Sequence, residues 1–224
     1  IAIKLCPDFL GRIKKPELIV GVTGTNGKTT VNNLLTDVLE NMGVSVLSNR
    51  YGSNINAGIA TALISGSTVS GKTKKEMAVL EIDERSAKLI FSYIKPDYLI
   101  ITNLFRDSMR RNAHPEYISD FLTKYIPEST RLILNADDLV SSGVAPKNNR
   151  VYFSIAHLED EPAERDSIVR DVRICPNCET GLVYDFRRYN HIGRAICPKC
   201  GFASPEPDYQ IAEADFLGGT AKVV

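Results

Sequence analysis

The run of residues 22–30, Val-Thr-Gly-Thr-Asn-Gly-Lys-Thr-Thr, combines glycines, a lysine and hydroxyl side chains at a spacing that suits phosphate chemistry. A glycine-rich loop turns its backbone N–H groups towards an anion, and the helix N-terminus behind it favours negative charge. Lys28 would add a positive charge for the β- and γ-phosphates of a nucleotide, and the Thr29 hydroxyl is placed to ligate Mg²⁺. The general motif has glycine where this chain has Val22, so an ordinary glycine-rich turn is the alternative.

The flanking sequence predicts a strand before this loop and a helix after it. A mostly apolar run, 18–22, precedes the loop. After it, apolar residues recur at the i, i+3, i+4, i+7 spacing of one helical face: Val31, Leu34, Leu35, Val38, Leu39 and Met42. We therefore predict that a nucleotide is bound at the strand–helix junction by Gly24, Thr25, Asn26, Gly27, Lys28, Thr29 and Thr30.

Strand-like and helical patterns alternate along the following sequence. Strands are predicted at 44–47, 78–82, 98–103, 132–135 and 151–153, and helices at 59–64, 84–94 and 115–126. Such alternation implies parallel strands joined by right-handed crossovers, and continuously apolar strands indicate a sheet covered on both faces. The expected fold class is therefore α/β with a mostly parallel sheet. Ligands of such sheets lie at the carboxyl ends of the strands.

Polar residues follow three of these predicted strands. Glu81 could hold Mg²⁺ directly or through water, or it could belong to an acidic turn that caps the next helix. The same two interpretations stay open for Asp83 and Glu84. Arg106 could neutralise phosphate or carboxylate charge, or form an exposed ion pair of little consequence. The run 135–138, Asn-Ala-Asp-Asp, is by itself equally typical of a turn or a helix N-cap.

Four of the five cysteines form two Cys-x-x-Cys pairs near the end of the sequence. About eighteen residues separate the pairs, which is within the spacing of Cys₄ zinc sites. Zinc with four thiolate ligands is closed and structural, and a small module without its own core depends on the metal to fold. Short strands at 182–184 and 195–196 would make this module a zinc ribbon, and four free thiols are the alternative. The predicted ligands are Cys175, Cys178, Cys197 and Cys200.

Composition limits the classes of partner. The sequence has 27 basic and 27 acidic residues and no long run of one sign, which argues against a nucleic-acid or membrane surface. No stretch is long and apolar enough to span a bilayer, and no signal peptide is visible. We divide the chain into an N-terminal segment (1–16), an ATP-binding domain (17–157), a ribbon insertion (158–207) and a return to the core or linker (208–224).

With these pieces assembled, the sequence resembles the central domain of the Mur ligase family over most of residues 17–155. The resemblance rests on the loop at 23–30 and on the strand ends at Glu81, 101–103 and 135–138. Three further features resemble the amidating branch of the family, the ligase-like subunits of lipid II isoglutaminyl synthase. They are the loop from 48–50 to 58–63, the string Asn-Leu-Phe-Arg-Asp at 103–107 and the inserted Cys₄ ribbon.

The resemblance implies a function. Lys28 and the loop amides would bind the ATP phosphates, Thr29 and Glu81 would hold Mg²⁺, and Asn135 and Asp138 would lie near the nucleoside. The implied reaction is ATP-dependent amidation of the D-glutamate α-carboxylate in the lipid II stem peptide, through an acyl phosphate, to give D-isoglutamine. A GatD-type glutaminase subunit would supply the ammonia. The implied location is the cytoplasm, at the inner face of the membrane, with no nucleic-acid partner.

Two departures from ordinary Mur ligases favour the amidating branch. Ordinary members carry histidine directly after the residue that matches Asp107, where this chain has Ser108. The carbamylated lysine of those enzymes has no clear counterpart, Lys124 being the nearest candidate. We expect the catalytic acid residues in a C-terminal domain beyond this sequence. The alternatives are an amino-acid ligase of the Mur or folylpolyglutamate type and a P-loop ATPase with a nucleic-acid-binding ribbon.

Overall fold

The computed structural model describes residues 1–105, 115–158, 161–163, 172–188, 191–215 and 218–224. The chain forms two compact units, each described by itself below. Unit 1 comprises Ile1–Ile133 and Val144–Arg150, and unit 2 comprises Leu134–Gly143 and Val151–Val224. Within the described ranges, no helix has both the length and the apolar character that crossing a membrane requires.

Unit 1 alternates strands and helices as the sequence predicts. Its strands are β1 (Leu18–Thr23), β2 (Val46–Ser48), β3 (Met77–Glu81) and β4 (Tyr98–Ile101). Its helices are α1 (Ala2–Leu5), α2 (Phe9–Arg12), α3 (Lys28–Asn41), α4 (Asn56–Ser65), α5 (Ala87–Phe91) and α6 (Pro115–Tyr125), with a 3₁₀ turn at Glu84–Ser86. β5 (Arg131–Asn135) begins in unit 1 and ends in unit 2.

The sheet of unit 1 is parallel, as predicted. β1 pairs with β3 on one side and with β4 on the other, and β2 pairs with β3. In this register Val22 lies opposite Glu81, and Thr23 lies opposite Ile101. The strands are buried along most of their length, with Val79 fully enclosed, which fits a sheet covered on both faces. The carboxyl ends of β1, β3 and β4 therefore meet at one edge.

The face of helix α3 that packs on the sheet differs from the face that the apolar spacing predicts. Three apolar residues pack against the core of β1, β2 and β3: Val31, Leu35 and Leu39. Three others are exposed: Leu34, Val38 and Met42. Asn32 and Thr36 are buried instead, and each donates a hydrogen bond there: Asn32 to the Ser48 hydroxyl at 3.1 Å and Thr36 to the Asn32 carbonyl at 2.7 Å. The prediction of one continuous apolar face was therefore wrong for half of its members.

Unit 2 contains the end of β5, α7 (Leu139–Ser142), most of β6 (Arg150–Ile155), β7 (Val183–Arg187), β8 (Gly193–Ile196), β9 (Tyr209–Asp215) and β10 (Thr220–Val223). β9 pairs in parallel with β6 and antiparallel with β10. β7 and β8 form a separate antiparallel pair, which confirms the two short strands predicted between the cysteine pairs. Tyr184, Phe186 and Ala195 are buried in this hairpin and supply its small apolar core.

Candidate nucleotide site and metal centre

The loop between β1 and α3 has the backbone that a phosphate cradle needs. Gly24 has φ +126° and Gly27 has φ +80°, both in the region that favours glycine. A Cβ on Gly24 would lie 2.8 Å from the Asn103 carbonyl oxygen and would collide with the Thr102 hydroxyl. A Cβ on Gly27 would meet no atom of the described residues within 4 Å, so none of these residues fills the space in front of the loop at the start of α3.

The residues that follow β4 hold this loop in place. The Thr25 amide donates to the Asn103 carbonyl at 2.7 Å, and the Asn26 amide donates to the Asn103 side-chain oxygen at 3.2 Å. Thr102 donates its hydroxyl proton to the Asn26 carbonyl at 2.7 Å. The Phe105 amide donates to the Thr25 hydroxyl at 2.9 Å. The strand end at 102–105 therefore fixes the loop conformation, a role that sequence analysis did not assign to it.

Helix α3 presents its first turn to the space in front of the loop. The amides of Lys28, Thr29 and Thr30 have no acceptor within the helix, because the first intrahelical bond runs from the Val31 amide to the Gly27 carbonyl at 3.0 Å. Thr29 and Thr30 are exposed. Amides without an acceptor in their own helix, with hydroxyls beside them, suit the phosphates and the Mg²⁺ of a nucleotide.

Lys28 lies folded back over the loop. Its ammonium donates to the Gly24 carbonyl, to the Thr25 carbonyl at 3.2 Å and to Glu84 Oε1 at 3.3 Å. The Lys28 and Glu84 side chains are only 14% and 9% exposed. Burial raises the pKa of Glu84, and the opposing attraction of Lys28 only reduces that effect. Glu84, one of the three acidic residues whose roles the sequence left undecided, is therefore the ion-pair partner of Lys28.

Glu81 occupies the end of β3, at the same sheet edge as the loop. Its Oε1 accepts from the Asn54 side chain at 3.0 Å. The Asn49 side chain forms two hydrogen bonds to the backbone of Glu81. Its oxygen accepts the Glu81 amide at 2.9 Å, and its nitrogen donates to the Glu81 carbonyl at 2.9 Å. Asn49 and Asn54 orient the predicted magnesium ligand. Sequence analysis included them only in the loop from 48–50 to 58–63 and assigned neither a role, although their amide side chains were the available signal.

Two other predicted positions have defined local roles. Asp83 accepts the amides of Arg85 at 3.1 Å and Ser86 at 3.2 Å, so its carboxylate caps the 3₁₀ turn. Lys124 is exposed on α6. The predicted phosphate-neutralising Arg106, with Asp107 and Ser108, lies outside the described residues.

Asn135 and Asp138, which the resemblance places near the nucleoside, belong to unit 2. Asn135 Oδ1 accepts the Asp137 amide at 3.0 Å, and Asp138 Oδ1 accepts the Val140 amide at 3.0 Å as the N-cap of α7. These bonds are the turn and the cap that the sequence left open as alternatives. They also fix the direction of the chain at the end of β5. Contact of either residue with a nucleoside stays a prediction.

The four paired cysteines meet in one cluster. Their sulfur atoms all lie within 4.8 Å of one another, and two pairs, Cys175–Cys200 and Cys178–Cys197, have Sγ–Sγ distances of 3.5 Å. Four thiolates about 2.3 Å from a tetrahedral zinc ion would be separated by roughly 3.8 Å, so the donor set and its size fit zinc. Hydrogen bonding by Thr180 lowers the pKa of Cys178 to about 6, whereas burial and hydrogen bonds to the neighbouring thiols raise the pKa of Cys200 to about 12. Cys178 is therefore the member of the cluster that most readily becomes the thiolate that a metal requires.

The two cysteine pairs lie in backbone turns that match each other. Cys175 and Cys197 each accept, at the carbonyl, the amide of the residue four positions later, at 3.0 Å. Those residues, Glu179 and Gly201, have φ +59° and φ +75°. Each of the two cysteines also donates its amide to a carbonyl five positions later, at 2.8 and 2.7 Å. Two equivalent knuckles facing each other are the arrangement of a zinc ribbon.

Comparison with known families is consistent with this fold and this loop. The Mur ligase middle domain matches residues 22–172, and the chain therefore belongs to the Mur ligase family. Within that family it is similar to MurT, a subunit of lipid II isoglutaminyl synthase (glutamine-hydrolyzing). The identity to MurT of Streptococcus pneumoniae (strain ATCC BAA-255 / R6) is 36% over 217 residues, which is 95% of this chain and 47% of that protein.

Two further relatives extend the comparison. MurT of Staphylococcus aureus (strain COL) is 35% identical over 219 residues, which is 96% of this chain and 48% of that protein. The solved structure of a pseudomurein peptide ligase type C from Methanothermus fervidus superposes with a TM-score of 0.67 at 25% identity, covering 97% of this chain and 44% of that one. The chain thus spans about half the length of the curated relatives that it matches.

Proposed function

We propose that the protein containing this chain is the synthetase subunit of a glutamine-dependent amidotransferase. It would amidate the α-carboxylate of D-glutamate in the lipid II stem peptide, giving D-isoglutamine, with ammonia from a GatD-type glutaminase subunit. The observation that carries the proposal is the similarity to MurT over 95% of this chain. Because lipid II is a membrane-bound precursor with its stem peptide on the cytoplasmic side, the reaction would take place at the inner membrane face.

The reaction needs a carboxylate made electrophilic. An oxygen of the D-glutamate carboxylate would attack the γ-phosphorus of ATP, and ADP would leave to give an acyl phosphate. Ammonia would then attack the acyl carbon, and inorganic phosphate would leave with the carboxylate oxygen. Negative charge develops on the phosphoryl oxygens in the first step, so fixed cations and N–H donors at that point lower the barrier.

The residues of this chain supply the electrostatic part of that reaction. The loop amides and Lys28 would bind the phosphates once Lys28 exchanges its carbonyl acceptors for phosphate oxygens. Thr29 and Glu81 would hold Mg²⁺, which adds charge neutralisation at the transferred phosphoryl group. Asn49 and Asn54 keep Glu81 aimed into the site, and Asn135 and Asp138 would contact the nucleoside.

Zinc belongs to the proposal as a structural element. Cys175, Cys178, Cys197 and Cys200 would hold it in a closed, four-coordinate site with no position for substrate. The ribbon has a small core, which is why we expect its fold to depend on the metal.

Mass spectrometry of lipid II tests the proposal. The full-length protein is incubated with its glutaminase partner, ATP, glutamine and lipid II, and the product is examined for the mass change in which NH₂ replaces OH. Glu81→Gln should abolish this change because the variant loses a charged magnesium ligand. Glu17→Gln is the matched control, since Glu17 is exposed and directly precedes β1, at the end of the strand away from the loop.

Each alternative has its own outcome in this assay. Addition of a whole amino acid to the stem peptide would identify an amino-acid ligase instead. Absence of any ATP-dependent mass change, whether the nitrogen donor is glutamine or an added amino acid, would refute both ligase functions. Equal loss of activity in the two glutamate variants would show that Glu81 has no special role.

A further inference from the structure

Arg188 is a buried cation that joins the ribbon hairpin to other parts of unit 2. Its side chain is 10% exposed. It donates to Asp137 Oδ2 at 3.1 Å and to the two carboxylate oxygens of Glu161 at 2.5 and 2.9 Å. It also donates to the backbone carbonyls of Ile155 at 3.0 Å and Ala156 at 2.6 Å. All three guanidinium nitrogens are therefore engaged, and five acceptors surround one side chain.

Both acids in this network are enclosed. The Asp137 and Glu161 side chains are 3% and 6% exposed. A buried carboxylate is stable only while its cation and hydrogen-bond donors stay in place, so Asp137 depends on Arg188. The Ile155 amide is a second donor to Asp137, at the longer distance of 3.3 Å. Arg188 also lies over the Phe186 ring, 4.5 Å from its centroid, which fixes the guanidinium against the core of the hairpin.

The hairpin also forms backbone hydrogen bonds with the residues that follow β5. The Gly193 amide, at the start of β8, donates to the Asp137 carbonyl at 2.8 Å. Asp138 forms an isolated antiparallel bridge with Ile192. Asp137 is thus held by the ribbon at its side chain and at its carbonyl, and it lies between Asn135 and Asp138. The two residues predicted to contact the nucleoside are therefore positioned by the hairpin that connects the cysteine knuckles.

We propose that Arg188 is a positioning residue through which the zinc ribbon sets the nucleoside affinity of the enzyme. The inference rests on the proposed nucleotide site and goes beyond it, because it gives the ribbon a role in recognising ATP rather than only in folding. The phosphate loop belongs to unit 1 and is fixed by the residues that follow β4. Loss of the Arg188 network should therefore affect the nucleoside part of ATP and leave binding of the phosphate part unchanged.

Calorimetric titration of the zinc-loaded, full-length protein with two ligands separates these parts. Mg²⁺–ATP reports on phosphates and nucleoside together, and Mg²⁺–tripolyphosphate reports on the phosphate loop alone. Arg188→Gln should weaken ATP binding roughly tenfold, the effect of misplacing one or two hydrogen bonds, with tripolyphosphate affinity unchanged. Arg187→Gln is the matched control. The Arg187 guanidinium lies over the Tyr184 ring, 3.6 Å from its centroid, and the guanidinium bond to Asp137 comes from Arg188. The ATP affinity of Arg187→Gln should therefore stay at the wild-type value.

The second part of the experiment removes zinc from the wild-type protein. It tests the coupling between the ribbon and ATP affinity even if Arg188→Gln does not fold. A zinc-selective chelator in excess Mg²⁺ should reproduce the selective loss of ATP affinity. Unchanged ATP affinity in the zinc-free protein, or parallel loss of ATP and tripolyphosphate in both parts, would overturn the coupling. Wild-type protein that binds neither ligand would instead refute the nucleotide site itself, and the inference with it.

Discussion

Replacing Gly24 with alanine tests whether the loop geometry is as tightly determined as the structure indicates. Two costs add at this position. A non-glycine residue at φ +126° is strained by about 1–2 kcal/mol. The new Cβ also lies 2.8 Å from the Asn103 carbonyl oxygen and collides with the Thr102 hydroxyl, which adds roughly 1–2 kcal/mol because backbone must move. We expect Gly24→Ala to lower the free energy of unfolding by about 3 kcal/mol.

Gly43→Ala is the matched control. Gly43 also has a positive φ, +85°, but within the part of the chain that the structure describes a Cβ there meets nothing closer than 4 Å, so only the backbone strain of about 1 kcal/mol remains. In a chain of this length 1 kcal/mol corresponds to about 2–4 °C in Tm. Thermal unfolding without nucleotide should therefore show a decrease of about 6–12 °C for Gly24→Ala and about 2–4 °C for Gly43→Ala. Equal decreases in Tm would refute the argument that the end of β4 confines the loop.

Three further predictions concern the charged groups and the metal. Lys28→Ala should abolish calorimetrically measurable binding of Mg²⁺–ATP without unfolding the domain, and unchanged affinity would mean that this loop is not the site. Elemental analysis should find about one zinc per chain, and none in Cys197→Ser; iron, or no metal in the wild-type protein, would count against the ribbon. Because burial raises the pKa of Glu84, the folded state binds a proton at this carboxylate more tightly than the unfolded state does. The resulting contribution to the free energy of unfolding is complete below the ordinary glutamate pKa and is lost as the pH rises through the raised pKa. Urea titrations should show this loss across that pH range in the wild-type protein and its absence in Glu84→Gln.

Features set by local sequence were predictable before the structure. The loop at 24–30 has its own glycine and lysine signature, and the strands of unit 1 are continuous apolar runs, so both were found with boundaries close to those observed. The cysteine knuckles were equally clear, because four thiols at this spacing have few uses in a chain of this kind.

Features set by tertiary pairing were not predictable in the same way. The sequence could not decide between Asp83 and Glu84, because both follow the same strand. Only the fold shows that the first caps a 3₁₀ turn and the second reaches Lys28. The burial of Asn32 in place of Leu34 depends on the angle at which α3 lies on the sheet. Arg188 was also missed, since its acceptors lie 27 to 51 residues away in sequence.

The pairing of β6 with β9 shows where the fold can accommodate an insertion such as the ribbon. The two strands are parallel neighbours, and a parallel pair needs a long crossover connection, usually a helix. Here that connection is the stretch of about fifty residues that contains the zinc module. Because the entropy of loop closure grows only with the logarithm of length, extending a crossover of about 15 residues to about 50 costs roughly 1 kcal/mol. A metal-stabilised module could therefore have been acquired at this point in evolution with little loss of stability and no rearrangement of the strands on either side.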